Sequence, residues 1–126
     1  MKDVKFLMKE INYSFLNLSN LNEALTHSSY SESSNNKNYE RLEFLGDRVL
    51  GLIIANELFL KNKNSSEGEL AKKLSFLVCK STLKKIAGEI EIEKYLKFSR
   101  RIKSLDSIKA NALEALIGAI YLEFVF

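Results

Sequence analysis

Residues 40–50 read ERLEFLGDRVL and open the longest helical pattern in the chain. At 100° per residue, Glu40, Glu43 and Asp47 fall within about 60° of one another on one face of that helix. The following positions, as far as residue 61, are apolar on nearly every side, which is typical of a helix enclosed by other elements. Carboxylates gathered on such a helix repel each other unless a positive charge compensates them. The stretch therefore predicts a central, buried helix with an acidic stripe.

A further acid stands out near the C-terminal end. Residues 110–120 (ANALEALIGAI) contain Glu114 as the single charge in an apolar helical stretch. Because burying an unpaired carboxylate is costly, Glu114 requires a cation, a proton or a network of hydrogen bonds. The alternative is a tight helix crossing around a neutral or hydrogen-bonded Glu114. For the acids near residue 40, the alternative is a favourable interaction with the helix dipole, although Asp47 lies too far along the helix for that.

Small residues share a helix face with the acids in both stretches. Gly51 lies on the face of Glu43 and Asp47, and Gly118 lies on the face of Glu114. If these faces meet, oxygen-bearing side chains from both helices form one cluster. Oxygen ligands suit Mg²⁺ or Mn²⁺, and carboxylates around such an ion are typical of phosphoryl-transfer enzymes. The predicted cluster comprises Glu43, Asp47, Asn111 and Glu114.

Composition narrows the class of protein. Apolar spacings of three and four residues recur along all 126 residues, and there is no proline, so we expect one all-α domain over residues 1–126. One histidine and one cysteine exclude a zinc set and an internal disulfide, and we expect Cys79 to be buried. No glycine-rich phosphate loop indicates a nucleotide cofactor. The net charge is +3, with most basic residues in the second half, which is compatible with a polyanion partner.

The same patterns predict where the helices begin and end. We expect helices over residues 1–11, 21–29, 38–61, 66–80, 82–90 and 106–126, and a short turn near 93–96. Asn38 is expected to cap the third helix, and Ser66 with Glu69 has the spacing of a capping box for the fourth. Residues 31–38 are expected to form a polar loop. The apolar block 112–122 is too short to span a bilayer, so we expect no membrane contact. The last residues, 122–126, carry no capping signal, from which we expect the natural chain to continue.

The stretch 40–50 resembles the signature of the ribonuclease III family. Three flanking segments agree with that family in order and spacing: ALTHSSY at 24–30, SEGEL at 66–70 and ALEALIGAIYL at 112–122. The resemblance implies a compact helical endonuclease domain that works as a homodimer on double-stranded RNA. It also implies Mg²⁺ as cofactor, replaceable by Mn²⁺, and products with 5′-phosphate and 3′-hydroxyl ends. The implied setting is rRNA or mRNA processing in the cytoplasm.

The resemblance assigns roles to single residues by position. Asp47 and Glu114 are the expected catalytic residues, and Glu43 and Asn111 join them at the metal. Glu40 and Glu67 match acids that support the site or the RNA from its edge. Phe44 matches an apolar residue that inserts into the partner subunit, with ordinary core packing as the alternative. Basic residues that could contact RNA phosphates, or could simply be solvated, are Lys72, Lys73, Lys97, Arg100, Arg101 and Lys103.

The chain departs from the family pattern at three positions. The family usually has Asp at Asn111, Arg at Ser28 and a small residue at Arg48. An amide oxygen still binds Mg²⁺, but the cluster loses one negative charge, so we expect weaker metal binding. The alternative function is an RNA-binding relative that acts in ribosome assembly with weakened or lost cleavage. His27 is expected to be structural, because no acid–base partner lies near it in the sequence.

The usual bacterial enzyme also carries a C-terminal double-stranded-RNA-binding domain, and the sequence does not contain one. We therefore expect either a fragment of a longer enzyme or a compact variant. Contacts with RNA would then be mainly contacts with phosphate, and binding would weaken steeply as salt is raised.

Overall fold

The fold is helical throughout the part of the chain that the computed structural model describes, residues 1–30 and 37–125. Most of the expected loop 31–38 and Phe126 lie outside the described residues. One isolated β-bridge, between Thr26 and Lys97, is the only extended pairing within the described ranges. The prediction of an all-α protein is confirmed. The helices are α1 (Val4–Ile11), α2 (Leu18–Ala24), α3 (Glu40–Lys61), α4 (Glu67–Val78), α5 (Lys80–Glu89) and α6 (Asp106–Val125), with a 3₁₀ helix (Ile92–Tyr95) before α6.

The starts of α3 and α4 differ in their caps, since only α4 begins with a side-chain cap. The predicted capping box is confirmed, since Ser66 Oγ accepts from the Glu69 amide at 3.2 Å and the Glu69 carboxylate accepts from the Ser66 amide at 2.9 Å. Asn38 Oδ1 accepts from the Glu40 amide at 3.0 Å. The N-cap residue of α3 is Tyr39, which makes no side-chain cap hydrogen bond, so the predicted cap at Asn38 lies one residue too early.

Cys79 alone separates α4 from α5. Its extended backbone (φ −69°, ψ 159°) ends one helix and begins the next, so α5 begins at Lys80, two residues earlier than predicted. The prediction that Cys79 is buried is wrong, because this junction leaves its thiol exposed. Cys79 Sγ donates to the Phe76 carbonyl at 3.3 Å and lies 3.4 Å from Ser81 Oγ and 3.3 Å from Thr82 Oγ1.

The central buried helix is α6, not α3. Nine residues of α6 are buried, against two of α3, because α2, α3, α5 and the 3₁₀ helix all pack on α6. On α3, large apolar side chains such as Leu52, Ile53 and Phe59 remain exposed in the single chain. The prediction that the long helix is the buried one is therefore wrong. Both long helices are apolar on nearly every side, so this pattern cannot tell which one is buried. Only α6 is enclosed by other helices of the same chain.

The axes of α3 and α6 approach until their backbones touch. A Cβ at Gly46 would lie 1.6 Å from the Glu114 carbonyl oxygen, and a Cβ at Gly118 would lie 2.4 Å from the Leu42 carbonyl oxygen. The predicted close approach is confirmed at Gly118. On α3 the glycine that permits it is Gly46 rather than Gly51, whose Cβ would meet nothing within 4 Å. This crossing places the first turns of α3 directly against the middle of α6.

The rest of the core closes around this pair of helices. Leu7, Leu21, Leu25, Ile92 and Leu116 are the largest fully buried apolar side chains. At the far end of α6, the Glu123 carboxylate accepts from Tyr13 Oη at 2.5 Å and from the amides of Leu16 and Asn17 at 3.1 and 2.8 Å. Across residues 1–30 and 37–125, every helix is too short or too polar to cross a lipid bilayer.

Candidate functional site

The structure brings the acidic stripe of α3 together with Glu114 of α6. Glu40, Glu43, Asp47 and Glu114 line one open cavity of about 430 Å³. A second cavity of about 530 Å³ shares Glu43 with it and adds Asn111. All four predicted cluster residues therefore line two neighbouring cavities that share Glu43. The Gly46–Gly118 crossing brings them together because it holds the first turns of α3 against the middle of α6.

Burial and mutual repulsion disturb the ionisation of two of these acids. Glu114 is only 2% exposed. Burial raises the pKa of its carboxyl to about 7, with a further raising effect from Asp47 and an opposing effect from Lys80. Burial likewise raises the pKa of Glu43, and the neighbouring Glu40 and Asp47 add to that effect while Lys80 opposes it. The cluster therefore attracts cations, since a positive charge offsets both the cost of burying a carboxylate and the repulsion between neighbouring carboxylates.

The cation present is a lysine from α5. Lys80 Nζ donates to Glu114 Oε1 in a short ion pair and to Asn111 Oδ1 at 2.6 Å. It lines both cavities. Lys80 is not among the residues predicted from the sequence, although Glu114 requires a cation on sequence grounds. Lys80 lies in the first turn of α5 because that helix begins directly after Cys79. A sequence prediction that placed the helix break at Cys79 could therefore have identified Lys80.

Arg48 neutralises a second acid at the mouth of the cavity. Its Nη1 lies 2.7 Å from Asp47 Oδ2, and its guanidinium carbon lies 4.7 Å from the centre of the Phe44 ring. Both side chains of the pair are well exposed, so this ion pair contributes little to stability. One of the departures from the family pattern thus contacts Asp47 directly.

The structure places the other predicted site residues as follows. Glu40 is exposed at the rim of the cavity. Glu67 is exposed at the start of α4 and lines neither cavity. Phe44 is 64% exposed, so the alternative in which it packs in the core of its own chain is wrong. Its insertion into a partner stays a prediction.

The basic residues predicted to contact RNA lie outside the lining of the two acid-bearing cavities. Lys72 and Lys73 are exposed on α4, where Lys73 Nζ donates to Asn62 Oδ1 at 2.7 Å. Arg100 and Arg101 are exposed in the segment before α6. None of these four residues, nor Lys97 or Lys103, lines either cavity. Their role in RNA contact stays a prediction.

His27 has the structural role expected of it. Its Nδ1 accepts from the Ser29 amide at 3.0 Å and lies 2.7 Å from Ser29 Oγ. The imidazole stands edge-on to the Tyr39 ring, 5.4 Å between centres. Burial lowers its pKa, against a raising effect from Glu40. These contacts satisfy the ring within its own segment.

The donor set has the right chemistry for a hard divalent cation. Carboxylate and amide oxygens are the ligands that Mg²⁺ and Mn²⁺ prefer. Within the described ranges, however, no three acidic, histidine or cysteine side chains form a ready metal site, and the Lys80 ammonium group lies on two of the four donors. The chemistry of the donors therefore suits such an ion, whereas their positions in this structure do not form a complete site.

Comparisons with known proteins give a consistent result along nearly the whole chain. The family model described as Ribonuclease-III-like matches residues 18–125. Ribonuclease 3 of Clostridium tetani is 45% identical over 127 residues, covering 96% of this chain and 54% of that protein. Ribonuclease 3 of Borreliella burgdorferi is 46% identical over 129 residues, covering 97% of this chain and 52% of that protein. The chain thus spans about half the length of these relatives.

Solved structures agree with the sequence comparisons. The nuclease domain of ribonuclease III from Campylobacter jejuni matches with a TM-score of 0.87 at 38% identity, covering 96% of this chain and 86% of that one. Dicer from Pichia stipitis matches with a TM-score of 0.70 at 31% identity, covering 89% of this chain and 49% of that one.

Proposed function

The chain belongs to the ribonuclease III family, and on that premise we propose that it is a catalytic domain that cleaves double-stranded RNA endonucleolytically. Phosphodiester hydrolysis would leave 5′-phosphate and 3′-hydroxyl ends. Processing of rRNA or mRNA in the cytoplasm is the proposed setting. Double-stranded RNA is recognised mainly by its shape and its phosphates, and the open cavity leaves room for a phosphate group to approach the acids.

The observation that carries this proposal is the convergence of Glu43, Asp47 and Glu114 on one open cavity. Glu114 is almost fully buried, whereas Asp47 stands at the exposed side, so the cluster reaches from the protein interior to the surface. With Asn111, these residues would hold Mg²⁺ or Mn²⁺, and the bound ion would supply an activated water and neutralise phosphate charge. Asp47 and Glu114 are the proposed catalytic residues.

The remaining residues around the cavity have supporting roles in this proposal. Glu40 adds negative charge at the rim, and the Arg48 guanidinium group beside Asp47 can donate two hydrogen bonds to a phosphate. Glu67 would act from the edge of the RNA rather than within this cavity.

A homodimer is part of the proposal. Phe44, Leu52 and Phe59 are exposed on α3 and fall within about 80° of one another on its surface. Phe76 and Leu77 are exposed on the neighbouring α4. Exposed apolar side chains gathered on two neighbouring helices mark an interaction surface. The Campylobacter jejuni nuclease domain is described with a region involved in dimer formation, which supports a second copy of this chain as the partner.

Cleavage of a long RNA duplex in the presence of Mg²⁺ tests the function. We expect the parent chain to cut the duplex, and Asp47→Asn to slow cutting by roughly a hundredfold or more while still retarding the RNA on a gel. Asp3→Asn is the matched control, because it makes the same chemical change at the cap of α1 and Asn caps a helix as well as Asp does. Equal cutting by parent and Asp47→Asn would refute the proposal.

The second candidate function is RNA binding with weakened or lost cleavage, for instance in ribosome assembly. The observation that favours it is the neutral Asn111 bound to the Lys80 ammonium group, which leaves fewer free ligands for a metal. Retardation of the duplex without cutting by the parent chain, under conditions where Asn111→Asp restores cutting, would establish this second function.

A further inference from the structure

Lys80 is the side chain of the site that neither the family resemblance nor the acidic pattern assigns. Its ammonium group contacts Glu114 and Asn111, the two cluster donors contributed by α6. Glu114 is the most deeply buried of the acids and depends on a cation for its charge. A divalent ion that used these donors would have to take the place of the ammonium group, because both require the same oxygens.

The charges around the cavity also indicate that Lys80 opposes the binding of a divalent ion. Glu40, Glu43, Asp47 and Glu114 bring four carboxylates, while Lys80 pairs with Glu114 and Arg48 pairs with Asp47. With all six groups ionised, the cavity keeps two net negative charges. Attraction of a divalent ion scales with the charge that it meets, so the two internal cations weaken it.

The Lys80 side chain can move away from the cluster when another cation takes its place. Its side chain is 60% exposed, whereas the side chain of Glu114 is 2% exposed. Exposed side chains interconvert rapidly between rotamers at the surface. The lysine is therefore the movable member of the pair.

We propose that Lys80 is the resident cation of the acid cluster and sets the affinity of the site for a divalent ion by occupying two of its oxygen ligands. This inference rests on the metal-dependent function proposed above. It adds a determinant of metal affinity that comes from α5 rather than from the two acid-bearing helices.

The test is Mn²⁺ binding to the full chain, followed by the electron paramagnetic resonance signal of free Mn²⁺. We expect Lys80→Ala and Lys80→Gln to lower the Kd for Mn²⁺ roughly tenfold or more relative to the parent. Lys80→Gln retains a hydrogen-bond donor for Glu114, so it serves as the folded variant if Lys80→Ala is unstable. Lys85→Ala, an exposed lysine on the same helix, removes the same charge and should leave the Kd unchanged within a factor of two.

Thermal unfolding gives a second readout that does not involve RNA. In EDTA, Lys80→Ala should unfold at a lower temperature than the parent, because Glu114 is left buried and unpaired. Added Mn²⁺ should raise the Tm of Lys80→Ala by more than it raises the Tm of the parent, since the ion restores the missing charge. Equal shifts in the two proteins would count against a shared binding place.

The outcomes separate this inference from the proposed function. Tighter Mn²⁺ binding by both Lys80 variants without any duplex cleavage supports the role of Lys80 and overturns the function. Cleavage by the parent, with the same Kd for Mn²⁺ in parent and Lys80 variants, supports the function and overturns the role of Lys80. Absence of Mn²⁺ binding in every variant overturns both.

Discussion

Single residues respond to the fold in ways that depend on neighbours far away in sequence. The sequence identifies Glu114 as a carboxylate that needs a cation, because it is the single charge in the apolar stretch 110–120. The sequence does not reveal which residue provides that cation. Lys80 lies 34 positions earlier and reaches Glu114 only because α5 begins directly after Cys79. Local patterns define what a buried charge requires, whereas tertiary packing decides which side chain provides it.

Cys79 carries a prediction at this scale. Hydrogen bonds from the Ser81 and Thr82 side chains lower the pKa of its thiol to about 7, against about 8.5 for an unperturbed cysteine. Because the thiolate is the nucleophile, alkylation by iodoacetamide should accelerate as pH rises and reach half its maximal rate at about pH 7. Thr82→Val should move that midpoint to higher pH. A midpoint at or above the value of free cysteine in the parent would contradict the assignment.

At the scale of elements, most helices follow from the sequence. Three- and four-residue spacings give the order of the helices, and the Ser66–Glu69 capping box gives the beginning of α4. Which helix is central does not follow, because α3 and α6 are both apolar all round and only their packing distinguishes them. The same limit applies to the glycine at the crossing: Gly51 and Gly46 both lie near the acids in sequence, and only the crossing angle selects Gly46.

The two glycines of α3 provide a matched pair of substitutions. Gly46→Ala places a methyl group 1.6 Å from the Glu114 carbonyl oxygen, so the backbones must separate, and we expect a loss of about 3 kcal/mol or more in the free energy of unfolding. Gly51→Ala meets open space within 4 Å and should gain roughly 0.5–1 kcal/mol from helix propensity. Urea denaturation of the two variants measures both effects, and similar stabilities would show that the crossing is not a backbone contact.

For the whole molecule, the main question is what covers the outer face of α3. The single chain leaves Phe44, Leu52 and Phe59 in solvent, which costs free energy that a second copy would recover on association. The same association would bring two acid clusters into one assembly, which suits a substrate with two strands. A long helix that is apolar on every side in the sequence thus indicates either burial within its own chain or contact with a second copy.

A charge on that face should dissociate the proposed homodimer. Leu52→Glu places a carboxylate at a position that is 72% exposed in the single chain, and we expect the dissociation constant of the dimer to rise at least roughly thirtyfold. Leu16→Glu is the control, because Leu16 is 90% exposed and lies between α1 and α2. Sedimentation equilibrium measures both. Dissociation by Leu16→Glu but not by Leu52→Glu would place the interface elsewhere.

The contact between Gly46 and Gly118 joins main chain to main chain, and neither partner has a side chain that could adjust its length. The distance between the two acid-bearing walls is consequently independent of which side chains those walls carry. An exchange such as Asn111→Asp or Lys80→Gln alters the charge of the cleft while its width stays the same. Ligand preference in this protein can therefore change through single substitutions, without any rearrangement of the scaffold.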